Sequence, residues 1–426
     1  MEVKLSIMRT SVGEAALATT AVGAPALAAA ELSTPMLMAR PPGYRELEIA
    51  WRGRIPLAAT GVISAAALVG RAVRGRAPRR TALTTVVGLL GVSAGAAVSY
   101  DPWLFAPRRG RPQVRPAAEA DRVLGSDTEV LGVRLNGQAR AYPARALARP
   151  HIVTDILGGE PVAVSYCGLT NSAIAYRLGE GRTRMRLSVL SAPRNNILYR
   201  EHSTGSFVQQ LLPEIAHGEL LGQRLTTVPV VYTTWAAWQE LAPETTLADS
   251  PVRSPGDRLV TSLMRAEHTR TRSRSRTLLA TDSVDERIPA KTQLLSLVED
   301  GDAIAYTRAA LHAQPVINDV VGTQPTVAFY EPSRDIATAF RRHMDGRPLE
   351  FRPATPTTGG YEVAEDTDTG STWDVLGRCI RGPRGGQQLQ ATPFSFDKPF
   401  WFAWAAYHPH SRLHATPDEL TTGQSR

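Results

Sequence analysis

The chain runs to 426 residues, more than one compact domain uses, and its 43% hydrophobic and 21% charged content is that of a folded protein. Two cysteines, Cys167 and Cys379, exclude a disulfide framework and a four-cysteine zinc site and leave room for one bridge at most. The net charge of +8 comes largely from arginines that flank apolar segments or crowd into one loop, so it does not by itself indicate nucleic-acid binding.

Residues 1–50 read as a leader, disordered or signal-like. Lys4 and Arg9 precede the uncharged stretch Ala15 to Ala30, as in a signal peptide, but Glu14 and Pro25 break that pattern, and a start at Met36 or Met38 is the alternative. Residues 51–100 hold two apolar runs, Ile55 to Gly70 and Thr81 to Tyr100. The second is 20 residues without a charge, long enough to cross a hydrocarbon core. Closely spaced glycine and alanine suit helix packing in lipid, so a transmembrane helical hairpin is expected; two buried helices of a soluble domain are the other reading. The loop between them carries Arg71, Arg74, Arg76, Arg79 and Arg80. That density favours the cytoplasm and puts the N-terminus and everything after Tyr100 outside, although Arg52, Arg54, Arg108, Arg109, Arg111 and Arg115 weigh on the opposite side. Residues 101–127 read as a linker.

Beyond it the sequence repeats itself. At a constant offset of 164, "NGQARAYPARALARPHIVTDILGGEPVAVSY" lies over "DGDAIAYTRAALHAQPVINDVVGTQPTVAFY", with Tyr142 on Tyr306, Asp155 on Asp319 and Tyr166 on Tyr330. After a two-residue insertion, "WAAWQELAPETTL" lies over "WFAWAAYHPHSRL". Residues 128–250 and 292–415 therefore read as two copies of one unit related by a pseudo-two-fold axis. Each copy is α+β with strands dominant: a hairpin signal at Asn136-Gly137, a short helix around "ARALA", alternating strands through "PVAVSY" and "SAIAY", and an amphipathic helix at "WAAWQELAP". The Arg-rich segment 251–291 between the copies has no interleaved aromatic residues for base stacking, so nucleic acid is not the expected partner. Residues 416–426 form a polar tail.

The segments "GVRLNGQARAYPARAL", "IVTDILGGEPVAVSYCGLTNSA", "RIPAKTQLLSLVEDGDAIAY", "TGSTWDVLGR" and "FWFAWAAYHPHSRL" together resemble the bacterial and archaeal family called domain of unknown function 3179, over residues 125 to 415. The resemblance implies an exported or membrane-tethered protein and brings no established activity with it. The family's usual pattern has a histidine before the "IVND"-like strand and a Cys-Pro-Leu-Cys run, a set suited to a soft metal or a redox pair. In this chain Pro150 takes the histidine's place with His151 beside it, Cys167 is the first cysteine, and Thr170 replaces the second.

Cys167 ends an apolar strand and would need a base and a lowered pKa to act as a nucleophile; His151 and Asp155, on a neighbouring predicted strand, are the candidate partners. The other reading is a packed small residue, with Glu331 in its place in the second copy. Thr170, Asn171 and Ser172 either hydrogen-bond a ligand or cap the next strand. Asp155 and Asp319 recur before Gly158-Gly159 and Gly322-Thr323, which argues for a turn role; a meeting across the pseudo-two-fold axis would make Asp319 a ligand-binding candidate as well. Cys379, matched to Ile215, reads as core, as do Trp401, Trp404 and Tyr407. His408, His410 and His414 are split by Pro409 and make a poor zinc set. No metal or cofactor is expected, and no phosphate loop, dinucleotide fingerprint, zinc-protease motif or serine elbow is present. The leading reading is a membrane-anchored extracytoplasmic binding or scaffold module without catalysis, its partner an unidentified small molecule or protein. The alternative is an enzyme or metal-binding redox protein with its site near Cys167, Asp155 and His151.

Overall fold

The computed structural model describes residues 12–23, 43–100, 112–148, 150–181, 184–249, 285–355 and 361–424, with positions 26 and 262. Most of the Arg-rich segment and part of the signal-like stretch lie outside the described residues.

Helix α1 (Tyr44–Val73) starts inside the segment read as leader, and α2 (Arg79–Tyr100) follows it after a short turn. Among the described residues α1 is long and apolar enough to cross a membrane, by length and composition. Leu68 and Ala72 of α1 pack on Ala82 of α2. The early start of α1 has a local cause. Leu47 and Ala50 lie one turn apart and are buried against Leu190, Leu198 and Phe207, with Tyr44 and Trp51 beside them. His217 Nε2 lies 2.7 Å from Glu48 Oε2 and closes the contact.

The rest is a mixed α+β fold in which strands dominate. Within the segment read as linker, β1 (Gln113–Pro116) and α3 (Ala117–Ala120) precede β2 (Glu129–Leu135), β3 (Gln138–Pro143), β4 (Ile152–Leu157), β5 (Glu160–Cys167) and β6 (Ser172–Arg177). Then come β7 (Leu187–Ser191), β8 (Leu198–Glu201), β9 (Phe207–Gln209), β10 (Thr227–Val228), β11 (Val230–Thr234), α4 (Trp235–Leu241) and β12 (Thr246–Asp249). They form sheets ordered β1-β12-β3-β2-β11, β10-β6-β5-β4 and β7-β8-β9.

The second half holds β13 (Gln293–Glu299), β14 (Asp302–Thr307), α5 (Arg308–Ala313), β15 (Val316–Val321), β16 (Gln324–Glu331) and β17 (Ile336–Arg341). A hairpin of β18 (His343–Met344) and β19 (Arg347–Pro348) leads to β20 (Phe351–Pro353), β21 (Glu362–Asp366), β22 (Thr372–Asp374) and β23 (Cys379–Arg381). The chain ends with β24 (Gln390–Ala391), β25 (Ser395–Phe400), α6 (Trp401–Tyr407), β26 (Arg412–His414) and α7 (Pro417–Gln424), the last within the segment read as a tail. The sheets are β25-β13-β14-β26, β15-β16-β17-β24 and β20-β21-β22-β23.

The two halves share registers. Val130 pairs with Pro143 as Leu294 pairs with Thr307; Ile152 pairs with Ser165 as Val316 pairs with Phe329; Thr227 pairs with Tyr176 as Ala391 pairs with Phe340. The turns match too. Asn136-Gly137 and Asp300-Gly301 both have positive φ at both positions, as a two-residue hairpin turn requires. A Cβ on Gly158 would lie 2.4 Å from the Leu135 carbonyl oxygen, and one on Gly322 2.7 Å from that of Glu299, so both hairpin tips need glycine.

Packing is reciprocal. Each half has an inner core of its own, such as Leu131, Tyr142 and Val164 in the first and Leu295, Tyr306 and Ala328 in the second. Two further cores join the halves. Trp235 and Trp238 of α4 pack with Val327, Phe329 and Trp373 of the second half. Trp401 and Trp404 of α6 pack with Ile152, Ala163 and Cys167 of the first. Large apolar side chains contribute roughly 1.5–3 kcal/mol each when fully buried, so both joints are substantial.

Candidate functional site

Cys167 closes β5 and pairs with Ser172 across a tight turn. It is a free, buried thiol, 1% exposed, with Sγ 3.6 Å from the Asn195 carbonyl. Burial pushes its pKa up. The Thr170 hydroxyl and the N–H groups of Thr170, Leu169 and Ile197 pull the other way without overcoming it. His151, also buried, stands opposite Tyr166, its Nδ1 3.4 Å from the Tyr166 carbonyl. Tyr166 and Cys167 are successive strand residues and point to opposite faces.

Asp155 is not part of this site. It pairs with Val162, five residues back along β5 from Cys167, about 16 Å at ~3.3 Å per residue. There it is clamped by Arg140 Nη1 at 2.6 Å, the Tyr142 hydroxyl at 2.8 Å and the Ile156 N–H at 2.7 Å. Asp319 has the matching clamp from the Tyr306 hydroxyl at 2.7 Å and the Val320 N–H at 2.7 Å, with Arg412 Nη1 at 3.3 Å. The two carboxylates thus hold the strands of their own halves. Among the described residues no three His, Cys, Asp or Glu side chains gather as metal ligands would.

Thr170 and Ser172 are fully buried in a closed amide and hydroxyl cluster. Their oxygens lie 2.8 Å apart, Ser172 Oγ donates to Gln210 Oε1 at 2.7 Å, and Asn196 Nδ2 reaches Thr170, Ser172 and Gln210 at 3.1, 3.3 and 2.8 Å. Such a mutually satisfied cluster fixes the loop and presents no group to solvent.

Asn171 leads elsewhere. Its Oδ1 accepts from the Tyr166 hydroxyl at 3.0 Å, and its Nδ2 donates to the Lys398 carbonyl at 2.8 Å. Its counterpart Asp335 accepts from the Tyr330 hydroxyl at 3.1 Å and pairs with Lys398 Nζ at 2.9 Å and Arg308 Nε at 3.4 Å. Arg308 Nη2 also donates to Asp397 Oδ1. Burial raises Asp335, but Arg308 and Lys398 outweigh it and hold the carboxyl below its ordinary value. For the more deeply placed Asp397 burial wins over the same two cations and the pKa is raised. Tyr330 is pushed up to about 12 by burial and by Asp335.

Asp397 also lines a cavity of about 360 Å³ between the halves. Val231 and Trp238 wall it from the first half; Leu295, Phe340, Leu389 and Phe396 wall it from the second. Gly132 shapes one side, because a Cβ there would lie 2.3 Å from the Trp238 ring. Asp397 is 5% exposed, and its Oδ2 has no hydrogen-bond partner among the described residues. Neither Asp397 nor Lys398 stands out in the sequence. A paired Asp-Lys inside an otherwise apolar strand, "SFDKPF", is the signal that was there to find.

The architecture is that of a strand-dominated α+β protein whose halves meet around a polar junction and an apolar cavity, behind one helix able to span a membrane. The chain belongs to the family described as protein of unknown function (DUF3179), whose profile matches residues 107–411. Neither curated proteins nor solved structures gave a match.

Proposed function

We propose that the chain is a membrane-anchored, extracytoplasmic binding module without catalysis, built from two copies of one α+β unit that close a ligand site between them. The cavity carries this reading: both halves wall it with a mostly apolar lining, as a small-molecule site would have. The duplication of residues 128–250 and 292–415 is supported by the shared strand registers, and the pseudo-two-fold relation by the reciprocal packing of α4 and α6. A membrane hairpin of α1 and α2 is supported by the exposed apolar side chains Ile55, Val62, Ile63 and Val69 of the first and Leu83, Val87 and Leu90 of the second. The arginine-dense turn between them favours the cytoplasm, which puts both units across the cell membrane. A redox or enzymatic site at Cys167, His151 and Asp155 has less support, since Asp155 is held apart from Cys167 and burial disfavours the thiolate.

Two experiments test this. The full chain should stay with membranes through high-salt and carbonate washes; recovery in the soluble fraction overturns the anchorage. A fragment library screened by thermal shift should give hits that stabilise the wild type and not Ala391→Phe, which places a ring at the cavity wall. Identical hit lists for the two proteins overturn the cavity as the binding site.

A further inference from the structure

We infer that the groove between α1 and α2, at their turn end, holds one anionic phospholipid, with an acyl chain between the helices and the phosphate at Arg79. This rests on the two helices lying in the membrane and names a lipid that the anchor binds.

The groove encloses about 410 Å³ and is lined by Val69, Ala72 and Val73 of α1 and by Arg79, Leu83 and Val86 of α2. Helical spacing places them there. Residues 69, 72 and 73 share one face of α1, and 79, 83 and 86 share one face of α2. Leu68, Ala72 and Ala82 hold the helices together behind the groove. Both alanines are short, so the larger side chains in front of them stand apart. Val69, Val73 and Leu83 are exposed, an apolar surface that a lipid chain covers.

Charge sits at one end only. Arg79 is the one charged residue of the lining among the described residues, and Arg76 and Arg80 flank it in the chain. Residues 71–80 contain no acidic side chain. Glu14 lies 3.6 Å from Arg71, whereas Arg74, Arg76, Arg79 and Arg80 are exposed and carry no ion pair among the described residues. A guanidinium meets a phosphate with paired N–H donors, and basic pockets between membrane helices take anionic headgroups in this way. A zwitterionic headgroup brings its own cation toward the arginines and gains less. Membrane topology needs positive charge anywhere in the turn; a lipid site needs it at the mouth of the groove, where Arg79 stands.

The test starts from the full chain in carbonate-washed membranes. Loss to the soluble fraction overturns the membrane reading and the lipid site together. The retained protein, in detergent micelles, is titrated with phosphatidylglycerol and phosphatidylcholine of identical chains, and bound lipid is counted by native mass spectrometry. One phosphatidylglycerol should bind, about tenfold or more tighter than phosphatidylcholine. Arg79→Gln should remove most of that preference. Val69→Trp keeps every arginine and sets a ring in the groove, and it should weaken both lipids. Equal binding of the two lipids by the wild type overturns the anionic site and leaves the membrane reading standing. So does binding untouched by Val69→Trp, which would be general attraction to a basic turn. Displacement of the lipid by an equal concentration of glycerol phosphate would make a free phosphate ester the ligand and also overturns the lipid site.

Discussion

Asn171 and Lys398 lie 227 positions apart and are joined across the two halves by a 2.8 Å hydrogen bond from the Asn171 amide to the Lys398 carbonyl. Both backbones are left-handed, with φ of 52° and 67°. Each such residue costs on the order of 1 kcal/mol or more, and asparagine bears it better than lysine. The bond ties a strained turn to a strained irregularity inside β25, where the register with β13 shifts, so each fixes the other. Asn171→Gly keeps the backbone conformation and loses both this bond and the one accepted from the Tyr166 hydroxyl, and should cost about 1–2 kcal/mol. Asn171→Ala adds the strain and should cost more. Urea denaturation of the detergent-solubilised chain measures both; an alanine variant no less stable than the glycine variant would show that strain plays no part.

The arginine that clamps the buried aspartate has changed strands between the halves. Arg140 on β3 pairs in register with Thr246 on β12, and Ile304 on β14 pairs with Arg412 on β26. Arg140→Ile should therefore destabilise by about 3–5 kcal/mol, because it strands the Asp155 carboxylate beside Tyr142. Adding Thr246→Arg should recover a large part of this by rebuilding the second half's arrangement. A double variant no better than the single one refutes the equivalence.

His408 gives a pH dependence with a defined sign. Its Nε2–H donates to the Leu211 carbonyl at 2.7 Å, and burial lowers its pKa to about 4. Between about pH 6.5 and pH 4 the unfolded chain therefore takes up a proton that the folded chain refuses. This contribution to stability is complete above pH 6.5 and is lost as pH falls toward 4, by roughly 3 kcal/mol at most. His408→Gln should flatten that slope in denaturation series between pH 4 and 7; an unchanged slope assigns it to other groups.

Both thiols are buried, Cys167 at 1% and Cys379 at 3% exposure. A thiol reagent should label them only on the timescale of unfolding, and Cys167→Ala should cost on the order of 1 kcal/mol. Fast labelling of Cys167 in the folded chain would revive the redox alternative.

Because α4 and α6 each complete a core of the other half, residues 1–250 and 251–426 should be insoluble when expressed separately and should form a folded complex when expressed together. A stable, monomeric half would contradict the shared cores.

What could be read from the residues was local. Period-two apolar runs and turn pairs such as Asn136-Gly137 mark hairpins because neighbouring residues decide them. The start of α1 was hidden by Arg45, Glu46, Glu48 and Arg52, which mask the apolar face of Leu47 and Ala50. Thr170, Asn171 and Ser172 could be flagged as polar and turn-forming, but not sorted. Asn171 differs from its neighbours through Lys398, and nothing near it in the chain indicates that contact. The cavity is harder still, since it is space left where two surfaces meet and belongs to no single segment.

The docking of the first turns of α1 on β7–β9 limits where the protein can work. If the span begins near Ile55, the body hangs from about eleven helical residues, a rise of roughly 17 Å, with its own apolar contacts along that length. Along α1 it has no slack tether on which to sweep through the surrounding medium. The cavity would then ride at a nearly constant height above the lipid headgroups. A sparingly soluble occupant could reach it by diffusing in the plane of the bilayer, a two-dimensional search in which the membrane itself serves as the reservoir.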